Sequence, residues 1–203
     1  MIENLFILIE EPSAEPVVRR VAQLILPNIQ PTIYTFQGKQ NLLRKLPNRL
    51  KGLRNYLPGN SLILILVDRD AEDCVRLKQR LEAIANEAGF NTKTSVGKQS
   101  RYQVTNRIAI EELEAWFFGD WNAMRLAYPA LSANVPNKSI YRNPDAISGT
   151  WEALEKVLQS AGYFRGGLRK IELAQEVSQH LTVGNNRSHS FNFFCEALQA
   201  AAG

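Results

Sequence analysis

Apolar and polar positions alternate in blocks along this chain, and the blocks change period in a regular order. Leu5 to Ile9 is an uninterrupted apolar run stopped by Glu10-Glu11-Pro12-Ser13, which predicts a strand buried on both faces. Val17, Val18, Val21, Leu24 and Ile25 then recur at helical spacing, with Ser13 as the expected N-cap and Pro27 as the stop. Thr32 to Phe36 is β-rich and predicts a second strand. Leu42, Leu43, Leu46, Leu50, Leu53 and Leu57 mark a helical stripe, which Pro47 is expected to divide into two short helices. Ser61 to Val67 is the strongest strand pattern. It stops at Asp68-Arg69-Asp70, and a helix through Leu77, Leu81, Ile84 and Ala85 ends near Gly89.

Beyond Gly89, Thr92–Val96 and Tyr102–Thr105 flank Gly97-Lys98-Gln99-Ser100 and predict a hairpin. Arg107–Ile110 predicts a further strand running into a helix over Glu111–Phe118. The first 118 residues thus alternate strand and helix, which implies an α/β domain with a mostly parallel sheet flanked by helices. Residues 119–203 carry helical patterns at Trp121–Tyr128, Trp151–Ala161, Lys170–His180 and Phe191–Ala202. They predict a helical C-terminal extension packed on the sheet. No internal repeat or low-complexity segment interrupts the 203 residues.

Composition adds limits. Hydrophobic residues make up 45% and charged residues 22%, the balance of a globular protein that builds its own core. The longest apolar run, Leu62 to Val67, is far short of the roughly 20 residues needed to span a bilayer. Met1-Ile2-Glu3-Asn4 lacks a basic leader, so a cytoplasmic protein is expected. The two cysteines, Cys74 and Cys195, are too few for a disulfide framework or a four-ligand zinc site.

Charge is segregated. Residues 16–67 hold eight bases and no acid, and residues 111–120 hold four acids and no base. Three predicted strands end directly in acids: Glu10-Glu11, Asp68-x-Asp70, and Glu111-Glu112-x-Glu114. In an open parallel sheet the carboxyl ends of the strands share one edge, where ligands bind. Carboxylates crowded there repel one another unless a cation joins them, and a hard divalent ion such as Mg2+ or Mn2+ suits oxygen ligands. On a helix through the third cluster, Leu113, Trp116 and Phe117 share the apolar face, with Glu112 and Glu114 flanking it. These two are therefore expected to face the site, with Asp120 a weaker candidate and Glu111 pointing away. Ser188 and Ser190 are expected to cap the last helix, and the tryptophans to lie in the core.

Phe6-Ile7-Leu8-Ile9-Glu10-Glu11-Pro12-Ser13 followed by Ile63-Leu64-Ile65-Leu66-Val67-Asp68-Arg69-Asp70 resembles the Toprim domain, the topoisomerase–primase fold. That family has a glutamate after its first strand and an Asp-x-Asp after its third. Where it has a glycine after the glutamate, this chain has Glu11. Phe36-Gln37-Gly38-Lys39, Glu112-Leu113-Glu114-Ala115-Trp116 and Asn186-Arg187-Ser188-His189-Ser190-Phe191 resemble an uncharacterised stand-alone bacterial family within that superfamily. The likeness implies Mg2+- or Mn2+-dependent phosphodiester cleavage, as in the overcoming-lysogenization-defect nucleases. It implies metal held by Glu10, Asp68 and Asp70; beside them, Glu112 or Glu114, the pair that helical spacing turns to the site, is expected to hold a second ion or orient the water, with Glu114 counted among the metal ligands. It also implies a nucleic-acid partner and a separate ATPase, in anti-phage defence, since no Walker run is present.

The basic stretches then become candidates for the nucleic-acid backbone: Lys39, Arg44, Lys45, Arg49, Lys51, Arg54, Arg101 and Arg107. The competing reading is a non-catalytic regulatory or partner-binding module. A receiver-like module needs a lysine at the end of its last strand, where this chain runs into glutamates.

Overall fold

A computed structural model describes residues 2–96 and 101–202. Strands β1 (Asn4–Ile9), β2 (Thr32–Thr35), β3 (Ser61–Asp68) and β4 (Val104–Ala109) form one parallel sheet in the order β2-β1-β3-β4. Helices α1 (Glu15–Ile25), α2 (Lys39–Tyr56) and α3 (Cys74–Glu87) connect them. The remaining helices are α4 (Glu114–Gly119), α5 (Trp121–Ala127), α6 (Thr150–Ser160), α7 (Lys170–Ser178) and α8 (His189–Ala202).

The continuous apolar runs of β1 and β3 follow from having helices on both faces. Ile7, Ile9, Leu64 and Leu66 join one core with α1 and α4–α8. Leu8, Ile63, Ile65 and Val67 join the other, with α2 and α3. Side chains alternate across a pleated strand, so every second residue serves each layer. The C-terminal helices therefore share a core with the sheet and with α1.

Several expectations need correction. Pro47 does not divide α2, which runs unbroken from Lys39 to Tyr56; burial of Leu42, Leu46, Leu50 and Leu53 along one face outweighs one lost backbone bond. The predicted hairpin is absent among the described residues. Its second arm and the following strand are a single strand, β4, parallel to β3, with only an isolated parallel bridge from Thr92 to Val104. The intervening residues 97–100 lie outside the described residues. Ser13 does not cap α1: its hydroxyl donates to Glu11 Oε2 at 3.1 Å, and a short 3-10 turn over Pro12–Ala14 precedes the helix. The helix expected from Glu111 begins only at Glu114.

The Asn186–Phe191 string closes the fold. Asn186 Nδ2 donates to the Trp116 carbonyl at 2.8 Å, and the Trp116 indole donates to Ser190 Oγ at 2.9 Å. Ser188 Oγ accepts the Phe191 amide and Asp145 accepts the Ser190 amide, so α8 is capped from two sides, and the Ser188 hydroxyl donates to Asp145. Trp116 and Phe191 meet edge to face at 5.3 Å. Gly119 is required here, since an added Cβ would sit 1.8 Å from Asn186 Oδ1.

Candidate functional site

The chain leaves β1 toward β2 on one side and later returns to place β3 on the other. The carboxyl ends of β1 and β3 are therefore the switch point of the sheet, where neighbouring connections diverge and leave a crevice. Glu10 is the first residue after β1 and Asp68 is the last of β3. Glu10 Oε2 accepts the Asp68 amide at 3.3 Å. With Leu66, Glu114, Phe117 and Lys170 they line a cavity of about 20 Å³, room for roughly one water-sized occupant.

These carboxyls are electrostatically crowded. Burial pushes Glu10 up to about 7; Asp70 and Glu11 add to the effect, while the Asp68 amide and Lys39 oppose it. Burial also raises Asp68 well above the ordinary carboxylate range, reinforced by Glu10, Glu114 and Asp70. Glu114, 5% exposed, is raised by burial against the pull of Lys170.

Two lysines answer this charge. Lys170 opens α7 and places Nζ 3.3 Å from Glu114 Oε1, with the Trp151 ring 5.4 Å away. Lys39 opens α2 and is 7% exposed; its Nζ lies 2.6 Å from Asp70, 3.1 Å from Glu72 and 3.0 Å from the Arg69 carbonyl. Burial alone would lower the Lys39 pKa; the hydrogen bonds that Lys39 donates to Asp70 and Glu72 outweigh it and raise it. A lysine at a helix N-terminus opposes the helix dipole, so both are held there by their acidic partners. Lys170 lies in the C-terminal helices, and the sequence reading missed it because only folding brings it to the strand ends.

The predicted acids separate into groups. Glu10, Asp68 and Glu114 share the cleft. Asp70 is turned to Lys39. Glu112 Oε2 accepts from Thr150 Oγ1 at 2.7 Å and from the Trp151 amide at 3.0 Å, so it caps α6. Glu111, expected to point away from the site, accepts from the Gly149 amide and pairs with Arg69 at 3.4 Å. Asp120 caps α5 through the Ala123 amide and accepts from Thr182, away from the cleft. Among the described residues no three acidic, imidazole or thiol side chains are gathered so as to hold one metal ion. Glu10, Asp68 and Glu114 are oxygen donors of the kind a hard divalent cation takes, but here they stand apart on a cleft that they share with Lys170 and with Ile9, Leu66 and Phe117, and they would have to draw together to hold one.

The predicted bases also divide. Lys39 is buried in the acidic loop and is not free for a phosphate backbone. Arg101 donates to Asn60 at 2.5 Å, at the amino edge of the sheet and so opposite the acids. Arg107 donates to the Phe193 carbonyl at 2.8 Å and ties β4 to α8. Arg54 lies over the Phe90 ring at 5.4 Å and donates to Gln103. Arg44, Lys45, Arg49 and Lys51 are exposed along α2. Trp116 and Trp121 are core residues, whereas Trp151 is half-buried.

Solved structures resemble this fold. The C-terminal region of the OLD protein of Xanthomonas campestris pv. campestris superposes with a TM-score of 0.52 at 16% identity, covering 98% of this chain and 94% of that one. The C-terminal region of the Burkholderia pseudomallei OLD protein gives 0.52 at 15% identity, covering 98% of each. At such identity the likeness is one of fold. No curated protein matches the chain. No helix among the described residues is long and apolar enough to cross a membrane. The model of a domain of unknown function, DUF4276, matches residues 9–199, nearly the whole chain, and the protein belongs to that family.

Proposed function

We propose that this protein is a Toprim-type nuclease module that cleaves phosphodiester bonds with Mg2+ or Mn2+. The observation that carries the reading is the pairing of Glu10 with Asp68 at the switch point, on a cleft completed by Glu114 and Lys170. The fold shared with OLD C-terminal regions supports it. Glu10, Asp68 and Glu114 would hold the metal, joined by Asp70 on release from Lys39. A bound divalent ion supplies Lewis acidity to the phosphate and lowers the pKa of a water. The chain's own groups do the rest. Lys170 presents a cation at the cleft wall for an anionic phosphate. Glu112 and Glu111, by capping α6 and its approach, fix the loop that delivers Glu114. Arg44, Lys45, Arg49 and Lys51 offer exposed positive charge to the backbone beyond the cleft. No Gly-x-x-x-x-Gly-Lys run occurs in these 203 residues, so any ATP hydrolysis would be supplied from outside them.

The test is incubation with Mn2+ and single- and double-stranded DNA and RNA, alone and with any ATPase encoded beside it. Asp68→Ala is expected to remove turnover while leaving nucleic-acid affinity equal or tighter. Loss of a carboxylate near phosphate removes repulsion and not attraction. Intact substrates in every combination, with Asp68→Ala indistinguishable in cells, would leave a binding or regulatory module.

A further inference from the structure

One flank of α2 borders the edge strand β2. It carries a groove of about 320 Å³ lined by Phe36, Lys45, Asn48, Arg49, Gly52 and Tyr56 among others. At 100° per residue, Lys45, Arg49, Gly52 and Tyr56 fall on one stripe of the helix. Tyr34 faces them from β2: the Arg49 guanidinium lies 4.5 Å from its ring centre, and the Tyr34 and Tyr56 hydroxyls are 3.5 Å apart. Tyr56 is 59% exposed, an aromatic surface left in water.

Gly52 is the second observation. It lies inside α2, where glycine weakens a helix, and nothing occupies the space a Cβ would take. The fold has no need of a glycine there. What it provides is a bare backbone floor between Arg49 and Tyr56, flat enough for a ring to approach. The surrounding field is positive, since Arg44, Lys45, Arg49 and Lys51 are exposed along α2 and that helix carries no acid.

The groove is linked to the acidic cleft through shared lining residues. Phe36 also lines an open trough of about 560 Å³ together with Gln37, Gly38 and Ile171. That trough shares Glu11, Ser13 and Lys170 with the cleft. These shared residues mark out a surface path from the carboxylates, over the 6% exposed Phe36, to Tyr56 beside the edge strand β2.

We propose that this path takes single-stranded nucleic acid, with an unpaired base stacked on Tyr56 and phosphates held by Lys45 and Arg49. The proposal deepens the nuclease reading and rests on it for the direction of the strand. A duplex hides the faces of its bases, so an aromatic platform beside a basic groove selects unpaired strands.

The test is binding of a labelled oligo-dT and of a duplex of equal length, in EDTA so that nothing is cut. The single strand is expected to bind more tightly. Tyr56→Ala and Gly52→Leu should each weaken it about tenfold. Arg49→Met should reduce the salt slope by about one unit, which Tyr56→Ala leaves unchanged. Gly52→Leu should keep or raise the melting temperature, so its loss of binding is not loss of fold. Wild-type affinity in both Tyr56→Ala and Gly52→Leu would overturn the proposal, as would a duplex bound as tightly as the strand or no binding at all. A wild type that binds the strand through this groove but cleaves nothing in Mn2+ would remove the nuclease reading and leave the groove standing.

Discussion

Glu10 holds its proton to about pH 7 in the folded chain, against about 4.5 when unfolded, because burial, Asp70 and Glu11 disfavour its charge. Asp68 is displaced in the same direction, by burial first and then by Glu10. A carboxyl whose folded pKa is raised binds more protons folded than unfolded between the two values. Stability therefore falls as pH rises through that window, by on the order of 3 kcal/mol for Glu10 alone. In EDTA the melting temperature should drop between about pH 5.5 and pH 8, and Asp68→Asn should shrink the drop and raise the value at pH 8. A wild type that becomes more stable over that range would refute this account. Millimolar Mn2+ should reverse the loss through linkage, and should fail to do so in Asp68→Asn. Lys39 behaves differently from the other bases of α2. Lys39→Met removes the partner of Asp70 and Glu72, so the melting temperature should fall while the salt dependence of nucleic-acid binding stays as it was. Charge reversal at Lys45 and Arg49 should do the opposite.

At the scale of elements, the glutamates after β4 have separate jobs that can be told apart. Glu112 accepts two bonds at the start of α6, and its truncation leaves the Trp151 amide without its partner. Glu112→Ala should cost about 1–2 kcal/mol in a denaturant melt, the ordinary cost of a lost helix cap. Glu114→Gln removes a buried, raised carboxyl but also the acidic partner of Lys170, so the two effects should offset and leave stability without metal little changed, while any metal response is abolished. The junction of α4 with α8 is fixed by Asn186 and Ser190. Ser190→Ala leaves the buried Trp116 indole N–H without an acceptor, an expected loss of about 1–3 kcal/mol by the same melt.

At the scale of the molecule, α1 and α4–α8 pack into one core against the sheet. A chain cut after residue 118 would expose Ile7, Ile9, Leu64 and Leu66 and the inner face of α1. It should show no cooperative unfolding transition by circular dichroism. It would also lack Lys170, so even a partly folded fragment would present the acids without their cation. The cleft belongs to both halves of the chain.

The strand ends were legible in the sequence because local chemistry dictates them. A buried parallel strand must be apolar throughout, so the residue at which acids begin marks its carboxyl edge, and Glu10 and Asp68 could be read directly. Alternating strands and helices likewise implied the parallel sheet, since parallel neighbours need crossovers. Other features were decided only by tertiary contacts. Pro47 stays inside a helix because four leucines of α2 bury together. The strand read as two pieces around Asn106 is one strand because β3 offers it a continuous parallel ladder. Glu112, placed by helical spacing beside Glu114, is claimed by the start of α6, 38 residues further on. Lys39 and Arg107, alike in the sequence, are turned to an acidic loop and to a helix carbonyl by neighbours far along the chain. Periodicity fixes which face a residue occupies; which charge it meets there depends on groups that only the folded chain brings within hydrogen-bonding distance.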